Sequence, residues 1–125
     1  MKTIRQEYQI SAPAEKVWEA LVDPKMIEKW GGGPAKMRAE AGFEFSLWGG
    51  DIHGKNIEVV KSKKLVQEWY SGDWEKPSRA AFVLTAKDGG TVVFLTHENV
   101  PDEEAKDIAD GWNHYYLGKI KELLE

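Results

Sequence analysis

The sequence has no cysteine among its 125 residues. This absence excludes disulfide bonds, thiol nucleophiles and thiolate metal sites, and it is typical of a reducing compartment, so we expect a cytoplasmic location. Long apolar runs are also absent, since the longest, residues 80–86, is far too short to cross a bilayer. Residues 1–7 carry charges where a secretory signal needs an apolar stretch, so we expect no membrane association.

Positive charge is in deficit, because 17 Lys and Arg stand against 21 Asp and Glu, for a net charge of -4. Such a chain has no general attraction to phosphate backbones, so we expect no nucleic-acid partner. None of the histidines, His53, His97 and His114, has a second histidine or a carboxylate at a metal-binding interval. No serine lies in a tight nucleophile elbow. We therefore predict no metal, no cofactor and no catalytic residue defined by a motif.

The composition, 42% apolar and 30% charged, suits one folded domain, which we place at residues 1–125. Residues 3–10 predict a strand, Pro13 to Val22 a helix, and Lys25 to Trp30 a second short helix. The apolar period then changes to two. It predicts a meander of strands near 36–40, 42–49, 52–61, 64–72, 79–87 and 90–98.

The last predicted element is a long helix from Pro101 to about Leu124. At about 100° per residue its broad apolar face carries Ala105, Ile108, Ala109, Trp112, Tyr115, Tyr116, Ile120 and Leu123. Lys119 lies about 20° from Trp112 on this face, where it snorkels, pairs with an acid or meets the negative group of a ligand. Gly111 and Gly118 lie on one flank and permit close approach of a neighbour. A helix of this length needs a curved antiparallel sheet to cover it, which predicts an α+β architecture.

Six Trp, four Tyr and four Phe are a heavy aromatic load for this length. These rings either fill the core or line a cavity between the sheet and the last helix. The predicted cavity walls are Trp30, Phe45, Trp69, Phe82, Leu84, Trp112, Tyr116 and Ile120, with Lys119 or His97 as polar guides. Strict alternation places Trp48 opposite Phe45 and Leu47, and Trp74 falls in a loop, so these two tryptophans are candidate contacts for a partner protein.

Several segments, spanning nearly the whole chain, carry a family resemblance. They are Ala12-Pro13 with Val17 to Leu21, Asp23-Pro24 with Trp30, Gly42-Phe43 with Phe45, Gly54 with Val59 and Leu65 to Trp69, and Val100 to Glu104 followed by Gly111 to Tyr116 and Ile120-Lys121. On these residues the sequence resembles the C-terminal domain of the Hsp90 ATPase activator family, within the START-like (SRPBCC) superfamily of helix-grip proteins.

The resemblance implies a curved antiparallel sheet wrapped around the C-terminal helix, with two short helices after the first strand. Together with the aromatic residues and the lack of a catalytic motif, it leads us to expect a non-enzymatic binding domain that holds a small apolar or aromatic ligand between sheet and helix, or docks an Hsp90-type chaperone. Eukaryotic activators carry a separate N-terminal domain for the main chaperone contact, and this sequence begins at the first strand of the C-terminal type.

Two alternatives stay open at this point. One is a cavity enzyme of the polyketide cyclase or hydrolase kind, using His97, His114 or Tyr116 as general acid-base groups. The other is a chaperone accessory that acts through the loops at residues 31–34 and 72–78.

Overall fold

Six antiparallel strands form one sheet in the computed structural model, which describes all 125 residues. The strands are β1 (Lys2–Ile10), β2 (Glu44–Leu47), β3 (Ile52–Val60), β4 (Lys64–Ser71), β5 (Ser78–Lys87) and β6 (Gly90–Val100). Their order across the sheet is β1-β6-β5-β4-β3-β2. Consecutive strands from β2 to β6 are therefore neighbours, as the predicted meander requires, and β6 closes the sheet against β1.

One predicted strand does not form, since residues 36–40 contribute only a single bridge, from Lys36 to β2. The side-chain amide of Asn56 donates to the carbonyls of Arg38 and Glu40, at 2.8 and 3.3 Å. Because a buried side chain satisfies these carbonyls, the segment is held to β3 without a strand ladder.

Two short helices follow β1, as predicted: α1 (Ala14–Val22) and α2 (Pro24–Trp30). The carboxylate of Asp23 accepts a hydrogen bond from the Lys25 backbone N–H at 2.9 Å and so caps the start of α2. Gly31, with a φ of 103°, ends the helix in the left-handed conformation that glycine adopts readily. These helices pack their buried faces on the sheet and on the C-terminal helix.

The C-terminal helix is present, but it is not a continuous α-helix as predicted. A 3₁₀ turn (Asp102–Glu104) leads into α3 (Ala105–Gly111), a π turn (Trp112–Tyr116) and α4 (Leu117–Leu124). The π turn adds one residue to the helical ladder, so the residues after it are rotated by about 100° relative to an uninterrupted helix. The side chains that α4 presents to the sheet are set by this rotation.

Gly118 is required by the backbone of the π turn. A Cβ at Gly118 would lie 1.8 Å from the carbonyl oxygen of Asn113, five residues earlier. The close approach expected at this glycine therefore involves its own helix rather than a neighbouring element. Gly111 has no heavy atom within 4 Å of the corresponding Cβ position, so it faces open space.

One contiguous hydrophobic core lies between the sheet and the helices. On β5 and β6 the buried residues Phe82, Leu84, Val93 and Leu95 alternate with outward-facing ones, as the period of two predicts. The π turn and α4 lie against this face through Trp112, Tyr116, Leu117 and Ile120. The α+β architecture is confirmed.

Candidate functional site

An aromatic cluster joins the sheet to the π turn. Its members are Trp30 from α2, Trp48 from the connection between β2 and β3, Trp69 from β4, Phe82 from β5, and Trp112 and Tyr116 from the π turn. Trp112 is central, since its ring stacks on Trp69 at 5.3 Å between centroids and meets Phe82 edge-on at 5.5 Å. Such pairs add stabilisation beyond the area that they bury.

Trp48 joins this cluster because its backbone departs from the extended form. Its φ is 50°, in the left-handed region that a bulky side chain rarely adopts. The alternation that places Trp48 opposite Phe45 and Leu47 ends at this residue. The half-buried indole packs edge-on against Trp30 and Tyr116, with centroids 5.9 Å away in both cases.

A directed chain of hydrogen bonds lies beneath the cluster. The indole N–H of Trp112 donates to Nδ1 of His97 at 3.0 Å, which fixes the histidine proton on Nε2. His97 Nε2 then donates to the Ser78 hydroxyl at 2.7 Å, and that hydroxyl donates to the Trp69 carbonyl at 2.6 Å. Every donor in this chain has one acceptor, and the chain requires a neutral imidazole.

Burial lowers the pKa of His97 from its ordinary value of 6.5 to about 4. The side chain is fully enclosed and no carboxylate faces it, so desolvation of the imidazolium is not compensated. His97 therefore has a structural role, because its Nδ1 accepts the hydrogen bond that orients the Trp112 indole.

An open groove with a volume of about 300 Å³ lies along one edge of the aromatic cluster. It is lined by Trp48, Asp51, Ile52 and Trp69 on the sheet side and by Asp107, Ile108, Gly111, Trp112, Tyr115 and Tyr116 on the helix side. Its surface is mainly apolar and aromatic, with carboxylates on both sides. Because Gly111 has no side chain, the helix wall is recessed at its middle. This groove is the candidate binding site.

The structure brings only some of the predicted cavity residues to the groove. Trp69, Trp112 and Tyr116 line it, and so does Trp48, which was predicted as a partner contact instead. The others are buried in the core without reaching the groove, namely Trp30, Phe45, Phe82, Leu84, His97 and Ile120. Among them, Trp30, Phe82 and His97 contact the groove walls from behind, through Tyr116, Trp112 and Trp69 respectively.

The placement of Lys119 on the apolar helix face is wrong. Its ammonium group pairs with Glu122 at 3.3 Å on the solvent side, and nearly half of the Lys119 side chain is exposed. The π turn rotates α4 so that Leu117, which an uninterrupted helix would turn outward, is fully buried. Tyr115, inside the π turn, is 66% exposed, although the continuous pattern placed it inward.

Replacing Lys119 with alanine is expected to change the free energy of unfolding by less than about 0.5 kcal/mol, because an exposed ion pair contributes little. Urea denaturation followed by circular dichroism measures this change. A loss above about 1.5 kcal/mol would instead place the Lys119 stem against the core.

The other acid-base candidates, His114 and Tyr116, do not form a catalytic set, and His53 does not join them. His114 is exposed on the helix, and His53 stacks on Tyr70 with its Nε2 3.3 Å from the Gly72 carbonyl oxygen. The Tyr116 hydroxyl is buried without a hydrogen-bond partner, and burial raises its pKa far above the ordinary value of 10.0. It therefore stays protonated and does not serve as a base.

Trp74, the second predicted partner contact, is half-buried rather than free in its loop. Its indole N–H donates to the Glu104 carboxylate at 2.7 Å, and its ring lies 6.0 Å from that of Trp69. This contact fastens the β4–β5 loop to the start of the C-terminal helix, beside the groove.

The groove residues absent from the predicted cavity are Asp51, Ile52, Asp107, Ile108, Gly111 and Tyr115, besides Trp48. Asp107 and Ile108 precede Gly111 and Trp112 by four residues, so their helical spacing was an available signal. Asp51 and Ile52 had no such signal, because left-handed residues at Trp48, Gly49 and Gly50 set the direction of their loop.

None of the helices is both long and apolar enough to span a bilayer. No three histidine or carboxylate side chains gather in a way that suits a metal ion.

Comparison with known proteins gives the same fold. The family model described as "Activator of Hsp90 ATPase homolog 1-like protein" matches residues 11–125. Among curated relatives, the activator of 90 kDa heat shock protein ATPase homolog 1 of Homo sapiens is 24% identical over 112 residues, covering 88% of this chain and 33% of its own. The Hsp90 co-chaperone of Saccharomyces cerevisiae is 24% identical over 122 residues, covering 89% and 34%. The chain thus spans about a third of the length of these relatives.

Solved structures extend the comparison. An HSP90 activator from Plasmodium falciparum superposes with a TM-score of 0.92 at 24% identity, covering 99% of this chain and 96% of its own. The Aha1 dimer from Colwellia psychrerythraea gives 0.86 at 21%, covering 100% and 97%. A protein of the dynemicin biosynthetic locus gives 0.83 at 20%, covering 99% of this chain and 47% of its own. These likenesses establish the fold, and the predicted helix-grip architecture is confirmed.

Proposed function

Because the chain belongs to the family of Activator of Hsp90 ATPase homolog 1-like proteins, we propose that it is a non-enzymatic binding domain that docks on an Hsp90-type chaperone through the aromatic groove. The observation that carries this proposal is the groove itself. It presents Trp48 of the aromatic cluster together with Ile108 and Tyr115, and Trp and Tyr are among the residues enriched at protein interfaces.

The shape of the groove favours a protein surface over an enclosed small molecule. Its volume of about 300 Å³ is at the lower end of the range for ligand pockets, and it is open along one side. Tyr115 is 66% exposed at its rim, which suits a contact that extends beyond the groove. Apolar side chains of a partner fill such a space and leave the partner backbone outside.

A small apolar ligand in the same groove is the second candidate, favoured by the mainly apolar lining. A cavity enzyme has less support, because both nitrogens of His97 are used in structural hydrogen bonds and no carboxylate orients the ring. Nothing in the groove combines a base with a nucleophile. We therefore propose binding rather than catalysis as the function.

Gly111→Leu tests the docking proposal. The backbone at Gly111 has ordinary helical angles, φ -62° and ψ -38°, and open space lies where the Cβ would be, so leucine fits the fold. We expect at least the stability of the parent, because leucine favours a helix over glycine by roughly 0.5–1 kcal/mol. The new side chain fills the recess, and we expect the affinity for the full-length Hsp90-type chaperone of the source organism, measured by calorimetry, to fall at least about tenfold.

Lys119→Ala is the matched control, because Lys119 lies on the same helix but on the side away from the groove. It should bind the chaperone as the parent does. Equal affinity of the parent and Gly111→Leu for the chaperone, or no binding by the parent, would refute docking through the groove.

A further inference from the structure

The groove carries negative charge on both sides and no positive charge. Asp51 on the sheet side and Asp107 on the helix side are its only charged lining residues. Both are exposed, and neither takes part in an ion pair. Two unpaired carboxylates at the edges of an apolar surface attract a cation and repel an anion.

The cations near the start of the C-terminal helix are engaged elsewhere. Lys106 pairs with Asp110 at 3.1 Å, and the N-terminal amino group pairs with Asp102 at 2.8 Å. Glu104, three residues before Asp107, receives the Trp74 indole N–H and is a further carboxylate at this end of the helix. The charge of Asp51 and Asp107 is therefore available to a bound partner.

The aromatic rings of the groove suit a cation as well. Tyr115 is 66% exposed and Trp48 is half-buried, so both rings offer surface to an occupant. Ammonium and guanidinium groups are attracted to aromatic faces, and their aliphatic stems pack on apolar surface. The carboxylates and the aromatic rings of the groove therefore both favour a bound cation.

We infer that the groove selects a protein segment in which an apolar side chain is followed by lysine or arginine. The apolar side chain occupies the space over Trp69 and Trp112, and the cation lies between the carboxylates of Asp51 and Asp107. This inference rests on the proposed function and adds the chemistry of the docking segment.

Three capped tetrapeptides test the selection: Phe-Leu-Lys-Lys, Phe-Leu-Gln-Gln and Phe-Leu-Glu-Glu. Nitrogen-proton spectra of the labelled protein report binding through the indole N–H signals of Trp48 and Trp112. We expect the lysine peptide to bind about three- to tenfold more tightly than the glutamine peptide, with the glutamate peptide weakest. Added salt should reduce the difference, because it screens exposed charges.

The double variant Asp51→Asn with Asp107→Asn removes both charges with little change in shape. We expect it to lose most of the preference for the lysine peptide over the glutamine peptide, because only the attraction of the cation to the aromatic rings remains. Glu103→Gln is the control, because Glu103 is exposed near the start of the C-terminal helix, lies outside the groove and takes part in no ion pair, and it should keep the parent's preference. Equal binding of the three peptides by the parent, no indole shift with any of them, or a double variant that keeps the parent's full lysine preference would overturn the inference.

Titrating the variants with the chaperone distinguishes docking through the groove from the selection of a cationic segment. If Gly111→Leu abolishes chaperone binding while the double asparagine variant binds as the parent does, the groove is the docking site and the charge selection is wrong. If Gly111→Leu binds the chaperone normally while the peptides follow the expected order, the groove selects cations but is not the chaperone site.

Discussion

Replacing Trp112 with alanine is expected to lower the free energy of unfolding by about 3 to 5 kcal/mol. The indole is 2% exposed and packs against Trp69, Phe82 and Tyr116, so its removal leaves a cavity at the centre of the aromatic cluster. It also leaves Nδ1 of His97 without its donor. Guanidinium denaturation followed by far-ultraviolet circular dichroism measures the loss without relying on the fluorescence of the missing residue.

Trp112→Phe separates packing from hydrogen bonding. Phenylalanine keeps an aromatic ring in the cluster but has no N–H for His97, so we expect a smaller loss, of about 1 to 3 kcal/mol. It also gives a measurable value if the alanine variant does not fold. A loss below about 1 kcal/mol in Trp112→Ala would contradict the central position of this residue.

The stability of the protein is expected to fall by about 3 kcal/mol between pH 6.5 and pH 4 through His97 alone. The folded pKa of about 4 lies below the unfolded value of 6.5, so the unfolded chain binds the proton first. This stabilisation is complete above pH 6.5 and is lost as the pH falls toward 4. At about 1.36 kcal/mol per pKa unit, the difference gives the expected loss.

The structural reason for this pH dependence is the hydrogen-bond chain. A protonated His97 would present an N–H at Nδ1 to the indole N–H of Trp112, so the two donors would face each other. Denaturation curves across this pH range, for the parent and for His97→Gln, measure the effect. We expect the variant to be less stable at neutral pH and to show a much shallower decline.

The comparison with His97→Gln also controls for two carboxylates that lose stabilising interactions on acidification. The pKa of Asp102 is lowered chiefly by its hydrogen bond with the N-terminal amino group, and that of Glu125 chiefly by its hydrogen bond with Lys121. Both groups therefore contribute stability that is lost on acidification, and they do so in the variant as well as in the parent. Parallel pH profiles for the two proteins would contradict the assignment to His97.

Local pattern was enough to predict most of the fold. The period of two predicted β3 to β6, and the short helix predicted from Lys25 to Trp30 is α2 within one residue, because these features depend on the chain near each residue. The segment at 36–40 did not become a strand, because buried Asn56 binds its carbonyls from across the sheet. Such a contact has no local signal.

The site was predicted less completely, for two physical reasons. The π turn rotates α4, so that Lys119 faces solvent and Leu117 faces the core. The only sequence signal for this π turn was Gly118, which stands in a run of large side chains. The left-handed backbone at Trp48 redirected its indole into the groove. Both are departures from a regular period, and periodicity arguments assume that none occurs.

The indole N–H signals of the six tryptophans offer the most direct test of docking through the groove. A relaxation-optimised nitrogen-proton spectrum of the labelled protein is recorded with and without the unlabelled Hsp90-type chaperone. If the groove is the docking site, the signals of Trp48, Trp69 and Trp112 shift or broaden first, while that of Trp18, buried in α1 outside the groove, changes least. Changes confined to Trp18, or a complex that leaves all three groove signals in place, would contradict it.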